Sequence, residues 1–274
     1  MIRGPLLLLA ASLPFLATLA PAAPPAPEGG NAVLQRLVER AGTHGTLQLS
    51  FTQEISAMGQ PMRVTGRMQT AGGRTAMTMQ TALPGGETME QRIVVLPDVA
   101  WVYMPAMNIV MKMDIARMGA AASAQAPFPQ QSPLGLVEGL RGGSMKHLGG
   151  KEIGGVACQG FRGTVAGLPS GALGGAAGLP ADGVAEVWIG EADGVPRMLR
   201  VLGQDGAALF TQTFTDIVLD QPIPEQTFAF KVPEGAQVMD MSDMLQQKLP
   251  GSGDAPPDAA PPAAPAPDGG ADEY

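Results

Sequence analysis

The stretch Leu47-Gln48-Leu49-Ser50-Phe51-Thr52 alternates apolar and polar residues, and this alternation decides the fold class. Because side chains at positions i and i+2 of a β-strand point to the same face, the pattern predicts a half-buried strand rather than a helix. The alternation recurs at 62–67 and 75–81, and turns rich in glycine or proline follow these runs at 71–73 and 84–86. Such a series of short runs is typical of an antiparallel sheet.

Further strands are predicted on both sides of a segment of different composition. The candidates are 90–96, 99–104, 108–113, 156–165, 184–189, 196–203, 207–219 and 226–230. Residues 115–143 are rich in Ala, Gln and Pro and predict a long covering loop with one short helix at 134–140. Another helix is predicted at 31–41 from its apolar face. We therefore predict a mainly β fold with flanking helices, in which a curled antiparallel sheet forms a half-open β-barrel with helices over its concave face.

The N-terminal region predicts export from the cytoplasm. Arg3 provides a positive start, residues 6–19 are almost wholly apolar, and small residues follow at 20–23, as in a secretory signal peptide. The apolar run is shorter than a membrane-spanning helix requires, and Pro14 interrupts it. No cysteine lies near the expected cleavage site. We expect a periplasmic protein that is not lipid-anchored.

Composition predicts the domain boundaries. We assign residues 1–23 to the signal peptide, 24–30 to a linker, 31–249 to the half-barrel domain and 250–274 to a disordered, acidic Pro/Ala-rich tail. The formal net charge is -8, but five acids lie in the tail, and residues 31–249 carry only -3. This near balance argues against nucleic acid as a partner.

Cysteine and histidine, which often serve as nucleophile and base, are scarce in this chain. There is one cysteine, Cys158, predicted to be a buried free thiol within a strand, and there are two histidines. His44 is predicted at a helix end and His147 in a solvated turn. A Cys–His nucleophile pair stays open as an alternative, but no carboxylate pair or phosphate-binding glycine motif stands out. We predict no catalytic residue, no metal site and no cofactor.

Methionine is unusually frequent, with 17 residues, eight of them between Met77 and Met118. Met77 and Met79, and likewise Met111 and Met113, are spaced to share one face of a strand. Three interpretations are open. They are core packing in a chain poor in aromatic residues, the lining of a site for a flexible apolar ligand, and binding of a soft metal such as Cu(I).

An ordered set of motifs in the second half resembles a known family. The motifs are Val187-Trp188-Ile189, Asp193-Gly194-Val195-Pro196-Arg197-Met198-Leu199, Leu219-Asp220-Gln221-Pro222-Ile223-Pro224 and Phe228-Ala229-Phe230-Lys231-Val232-Pro233. Together with Phe51-Thr52-Gln53 and Val99-Ala100-Trp101-Val102-Tyr103, they resemble the outer-membrane lipoprotein carrier superfamily (LolA/LolB-like periplasmic proteins) over residues 31–240. True carriers usually have a Lys/Arg-Pro pair where this chain reads Gln69-Thr70-Ala71-Gly72-Gly73-Arg74, so the resemblance is to a divergent member.

The resemblance implies a half-open barrel around an apolar cavity. It implies a non-enzymatic lipid- or lipoprotein-binding carrier in the periplasm, with acyl chains as ligands and envelope membrane proteins as further partners. We expect the cavity to be lined by Phe51, Met77, Met79, Trp101, Tyr103, Met111, Met113 and Trp188, and sheet register decides which of these face inward. The alternative is an envelope scaffold or sensor that binds a protein partner through the same concave sheet.

Overall fold

Twelve strands form a single sheet in the computed structural model, which describes residues 29–56, 61–83, 85–117, 132–142, 144–168, 173 and 179–242. The strands are β1 Thr46–Ile55, β2 Met62–Ala71, β3 Arg74–Ala82, β4 Thr88–Val95, β5 Val99–Met104, β6 Ile109–Asp114, β7 Lys146–Ile153, β8 Val156–Thr164, β9 Val184–Gly190, β10 Pro196–Leu202, β11 Ala208–Leu219 and β12 Gln237–Asp240. The predicted signal peptide, the acidic tail and most of the covering loop lie outside the described residues.

The strand order in the sheet is β12-β6-β5-β4-β3-β2-β1-β11-β10-β9-β8-β7. Neighbouring strands pair antiparallel, except that β12 runs parallel to β6. The sheet ends in two open edges and is not closed into a barrel, so the predicted mainly β, half-open architecture is confirmed. The β2–β3 hairpin turns at Gly72 and Gly73, both at positive φ, which is the backbone conformation that a two-residue hairpin of type I′ requires.

Three predictions of local structure were wrong. Strand β7 was missed because its Gly149-Gly150 pair interrupts any alternation, and His147 therefore lies in a strand rather than in a solvated turn. The segment predicted as a strand at 226–230 instead contains a 3-10 helix at Glu225–Phe228. Strand β12 was also missed, since a four-residue strand leaves too short a pattern.

Two helices lie on one face of the sheet, α1 at Gly30–Ala41 and α2 at Pro133–Gly139. Ser132 caps α2, because its hydroxyl accepts a hydrogen bond of 3.2 Å from the backbone N–H of Gly135. The helices pack over strands β8 to β11 and form a buried core that we call the helix cluster. Its buried members are Val33, Leu34, Leu37, Val38, Ala41, Leu136, Val137, Leu140, Met145, Phe161, Val187, Ile189, Leu199, Val201 and Phe210.

The same face of the sheet carries a second apolar cluster over strands β1 to β6, which we call the sheet cluster. Its buried members are Leu47, Leu49, Phe51, Val64, Met68, Met77, Ile93, Val95, Ala100, Val102, Met113, Val195 and Phe214. The opposite face of these strands carries mostly polar side chains, as the period-two alternation requires. No helix among the described residues is long and apolar enough to span a membrane.

Candidate functional site

Methionine side chains gather in the sheet cluster. Six of them pack together with its apolar residues: Met68, Met77, Met79, Met111, Met113 and Met241. We call these six the methionine cluster. Met68, Met77 and Met113 are buried, whereas Met79, Met111 and Met241 are partly exposed. The cluster therefore reaches from the interior to the accessible edge of the apolar face.

The strand register makes this apolar surface continuous. Met68 of β2 lies directly opposite Met77 of β3, and Met77 lies opposite Ile93 of β4. On β5 and β6, Val102 lies opposite Met111. Directly opposed side chains in a sheet have Cβ atoms about 5 Å apart, which brings them into contact. The thioethers of separate strands thus form one surface rather than isolated core positions.

Gly66 leaves room for an aromatic ring within this surface. A Cβ atom built at Gly66 would lie 2.6 Å from Cζ of Phe51 and 2.5 Å from the carbonyl oxygen of Thr78. The Phe51 ring therefore lies over β2 where a side chain would otherwise stand, and Met79 lies opposite Gly66 on the next strand. This close approach explains a glycine inside a strand, where glycine is otherwise unfavourable.

Two glutamines separate the sheet cluster from the helix cluster. Gln53 of β1 and Gln212 of β11 are cross-strand partners, and their exposed fractions are only 7% and 5%. Phe51 and Phe214 lie on one side of the pair within the sheet cluster, and Phe210 lies on the other side within the helix cluster. The apolar face is thus divided into a helix-covered core and a methionine-rich half.

Few apolar residues outside the strands pack in the methionine-rich half among the described residues. The apolar ones within the described ranges are Ile115, Leu134, Val195 and Met241. Leu134, in the first turn of α2, packs against both clusters and so joins them. Of the described residues, those of the sheet therefore form most of the methionine-rich half.

Met241 is held by the hydrogen bonds that join its segment to β6. Its backbone N–H donates to the carbonyl of Lys112 at 2.8 Å, and the buried Ser242 hydroxyl accepts from the N–H of Asp114 at 2.9 Å. Hydrogen bonds from the side chain and backbone N–H of Ser242 lower the pKa of Asp240, so this end of β12 is fixed beside the cluster.

A cavity of about 370 Å³ opens at the edge of the apolar face. It lies between the end of α1, the β2–β3 hairpin and the start of α2. Its lining includes Ala41, His44, Thr70, Thr75, Leu134 and Glu138. We call this cavity the mouth, because Leu134 connects it directly to the methionine-rich half.

His44 fixes one side of the mouth. Its Nδ1 lies 2.7 Å from Oδ2 of Asp220, and its Nε2 lies 3.0 Å from the carbonyl oxygen of Asp193. The hydrogen bond with His44, and a second one from the backbone N–H of Gly45, lower the pKa of Asp220. The end of α1 is thereby tied to the end of β11 and to the β9–β10 turn.

The structure brings five of the eight predicted lining residues together on the apolar face: Phe51, Met77, Met79, Met111 and Met113. The other three lie on the opposite face, since each alternates with buried neighbours on its strand. Trp101 stacks on Phe230 with ring centroids 5.2 Å apart, the Tyr103 hydroxyl donates to Oδ1 of Asn108 at 3.4 Å, and Trp188 lies over Gly160. These three side chains are therefore not part of the candidate site.

Sequence reasoning missed Met68, Met241 and Leu134 as members of this surface. Met68 continues the alternation of Val64 and Gly66 on β2, so extending the predicted strand by one residue would have found it. Met241 becomes a member only through the unpredicted pairing of β12 with β6. Leu134 enters through tertiary packing of α2, which leaves no local signal.

Cys158 and the histidines do not form a nucleophile pair among the described residues. The Cys158 thiol is completely buried and donates to the carbonyl of Val156 at 3.3 Å, and burial raises its pKa. His147 instead pairs with Gln159, its Nε2 lying 2.6 Å from Oε1. The described part of the chain contains no group of three His, Cys, Asp or Glu side chains placed to hold a metal ion.

Comparisons with solved structures find similar folds at low identity. An uncharacterized conserved protein from Thermus thermophilus shares 13% identity, with 76% of this chain and 97% of that chain covered and a TM-score of 0.47. The MucA/MucB complex of Pseudomonas aeruginosa shares 15% identity with a TM-score of 0.42. The match covers 74% of this chain and 61% of that chain, so this chain spans about three fifths of that chain's length. A putative outer membrane lipoprotein-sorting protein domain from Vibrio parahaemolyticus shares 12% identity, with 73% of this chain and 97% of that chain covered and a TM-score of 0.37.

The matched structures include outer membrane lipoprotein-sorting and LolA superfamily proteins, all at low identity. No protein-family model matches the sequence, and no curated protein matches it.

Proposed function

We propose that this protein is a non-enzymatic periplasmic carrier that binds the acyl chains of a lipid or lipoprotein on its methionine cluster. The observation that carries the proposal is the gathering of six methionines on one sheet face beside the mouth. The proposal includes a cleaved signal peptide at 1–23, a linker at 24–30, the binding domain at 31–249, a free acidic tail at 250–274 and envelope membrane proteins as partners for delivery.

The chemistry of the side chains suits a flexible apolar ligand. Methionine is unbranched and polarizable, so it adapts to chains of variable shape better than leucine or isoleucine does. Burial of each methylene group contributes about 0.8 kcal/mol, and about ten methylenes would contribute roughly 8 kcal/mol before the loss of chain entropy is subtracted. Acyl binding therefore needs no charged anchor inside the apolar half.

The mouth gives the ligand a direction. An acyl chain that passes Leu134 reaches Met77 and Met79 on the sheet, while a polar headgroup stays among Thr70, Thr75 and His44 at the rim. The closed packing of Met68 and Met77 opens by rotation about the methionine side-chain bonds, which leaves the backbone ladder intact. The sheet then serves as a rigid floor and the thioethers as its adaptable lining.

Uptake of a fluorescent fatty acid tests the proposal. Met79→Glu and Met111→Glu place a carboxylate at partly exposed positions of the methionine cluster, so we expect a folded protein whose uptake falls at least tenfold. Met107→Glu is the matched control, because Met107 is 51% exposed and lies outside the cluster in the 3-10 helix between β5 and β6. Circular dichroism melting confirms that each variant is folded.

Native mass spectrometry after mild purification from an envelope extract provides a second test. We expect the purified protein to carry a lipid-sized adduct that Met111→Glu lacks. Recovery of the ligand-free mass alone, together with no uptake of the fluorescent fatty acid by the unmodified protein, would contradict the proposal. If the unmodified protein binds no lipid and the methionine variants instead lose an envelope protein partner, the same face is a protein-binding surface.

A further inference from the structure

A row of hydrogen-bond donors crosses the polar face of the sheet, on the side opposite the methionine cluster. Ser50 of β1 lies opposite Arg67 of β2, Arg67 opposite Thr78 of β3, and Thr78 opposite Arg92 of β4. Hydroxyl and guanidinium groups thus alternate over four adjacent strands. Because neighbouring strands lie about 4.8 Å apart, the Cα atoms of the two arginines are roughly 10 Å apart.

This donor row forms one wall of a cavity of about 810 Å³. Its lining residues on the polar face are Gln48, Ser50, Arg67, Gln69, Ala76, Thr78, Arg92, Asp216, Val218 and Thr227, and Leu49, Met68 and Met77 of the same strands also line it. A neighbouring hollow of about 340 Å³ shares Ser50, Arg67 and Thr78. The larger cavity falls within the size range of small-molecule sites.

The opposite wall is anchored to the sheet. Thr227 belongs to the 3-10 helix Glu225–Phe228, in which Phe228 is buried under the Arg74 guanidinium, 4.7 Å from the ring centroid. Arg74 also forms an ion pair with Glu225. The stacking of Phe230 on Trp101 holds the next turn of the chain. Contacts within the chain therefore hold the wall opposite the donor row.

The two arginines of the donor row have no ion-pair partner among the described residues. In this they differ from Arg74, Arg162 and Arg197, which pair with Glu225, Glu186 and Asp193. Asp216 lines the same cavity, and Glu90 lies two residues from Arg92 on the same face of β4. Two guanidinium groups against the one carboxylate that lines the cavity leave the lining positive in a protein that is acidic overall.

We propose that this cavity binds a phosphate group, either as a free phosphate compound or as part of a lipid headgroup. Guanidinium groups recognise phosphate oxygens through two parallel hydrogen bonds, and hydroxyl donors complete the coordination of a tetrahedral anion. Long arginine side chains on either side of Thr78 reach one phosphate between them, with Thr78 and Ser50 donating from the floor. The arginine and hydroxyl residues of the donor row lie on the face opposite the methionine cluster, so we expect their loss to leave acyl binding intact.

Isothermal titration calorimetry at constant ionic strength tests the site, with inorganic phosphate and glycerol phosphate as the free probes. We expect saturable binding by the unmodified protein, with an affinity that falls at least tenfold in Arg67→Gln and in Arg92→Gln. The matched control is Arg63→Gln, which removes an exposed arginine from the same face of the same strand but outside the cavity. Arg67→Lys keeps the charge but loses the paired hydrogen bonds. We expect its affinity for the phosphate probes to lie between that of the unmodified protein and that of Arg67→Gln.

Flotation with vesicles distinguishes the two sources of phosphate. Binding to phosphatidylglycerol vesicles but not to phosphatidylcholine vesicles, lost in Arg67→Gln, would identify a lipid headgroup and support the proposal. Binding of neither free probe nor vesicle would overturn it, as would equal loss of binding in Arg63→Gln. Fatty-acid uptake should be unchanged in Arg67→Gln and Arg92→Gln, so failure of this site is distinguishable from failure of the acyl site.

Discussion

Gln53 and Gln212 lie opposite each other on β1 and β11, at the line where the helix cluster meets the sheet cluster. Both are almost completely buried on a face whose other buried residues are mostly apolar. Burying a polar amide costs free energy, which offsets the stabilisation gained from burying apolar surface. The pair therefore marks a boundary within the apolar face rather than a source of stability. The boundary separates a core covered by helices from the half to which we assign ligand binding.

Replacing both glutamines tests that interpretation. The double variant Gln53→Leu, Gln212→Leu removes two buried amides at once, and we expect its free energy of unfolding to be unchanged or up to about 1 kcal/mol higher. Urea denaturation measures this. Phe51→Ala is the comparison, with an expected loss of about 3 to 5 kcal/mol as a large side chain leaves the sheet cluster. A double variant that loses as much as Phe51→Ala would show that the amides are structural.

Gly66→Ala should destabilise the sheet because the added Cβ meets the Phe51 ring and the carbonyl oxygen of Thr78 at distances that real contacts do not reach. We expect a loss of about 1 to 3 kcal/mol, which is typical of overpacking. Gly45→Ala is the control, since a Cβ there has no heavy atom within 4 Å. Equal melting temperatures of the two variants would contradict the packing of Phe51 over β2.

The His44–Asp220 pair predicts a dependence of stability on acid. The hydrogen bond between Asp220 and His44 lowers the pKa of Asp220 in the folded state. The stabilisation that the Asp220 carboxylate contributes is therefore complete above the pKa of the unfolded state, near 3.8, and it is lost as the pH falls through the pKa of the folded state. Asp220→Asn should be less stable than the unmodified protein at neutral pH. The difference should shrink below about pH 4 as the native carboxylate protonates. Urea midpoints measured against pH provide the test, and a constant difference down to about pH 2 would contradict it.

Cys158 should react slowly with iodoacetamide in the native protein. Its thiol is fully buried, and burial raises its pKa, so both access and the thiolate fraction are low. Labelling should accelerate through the urea unfolding transition. Fast labelling without denaturant would show that β8 opens readily or that the thiol is exposed.

The sequence predicts most of the first six strands because one face of each is buried and the other is polar. In β1 and β3 this alternation places Phe51, Met77 and Met79 correctly on a shared face. The alternation does not decide which of the two faces carries the apolar clusters. The prediction therefore placed Trp101, Tyr103 and Trp188 on the wrong face.

What sequence reasoning could not predict depends on contacts distant in the chain. The pairing of β12 with β6 joins residues more than a hundred positions apart, and it brings Met241 to the methionine cluster. The donor row likewise depends on register, since Ser50, Arg67, Thr78 and Arg92 meet only when four strands align. No local pattern encodes such an alignment.

Methyl NMR of protein labelled with ¹³C at the methionine methyl groups tests acyl binding most directly. On titration with a long-chain fatty acid, we predict saturable shifts for the six residues of the methionine cluster, Met68, Met77, Met79, Met111, Met113 and Met241. The signals of Met62 and Met107, which are exposed, should stay in place. Shifts confined to Met62 and Met107, or no saturable shift at all, would contradict the claim that the methionine cluster binds acyl chains.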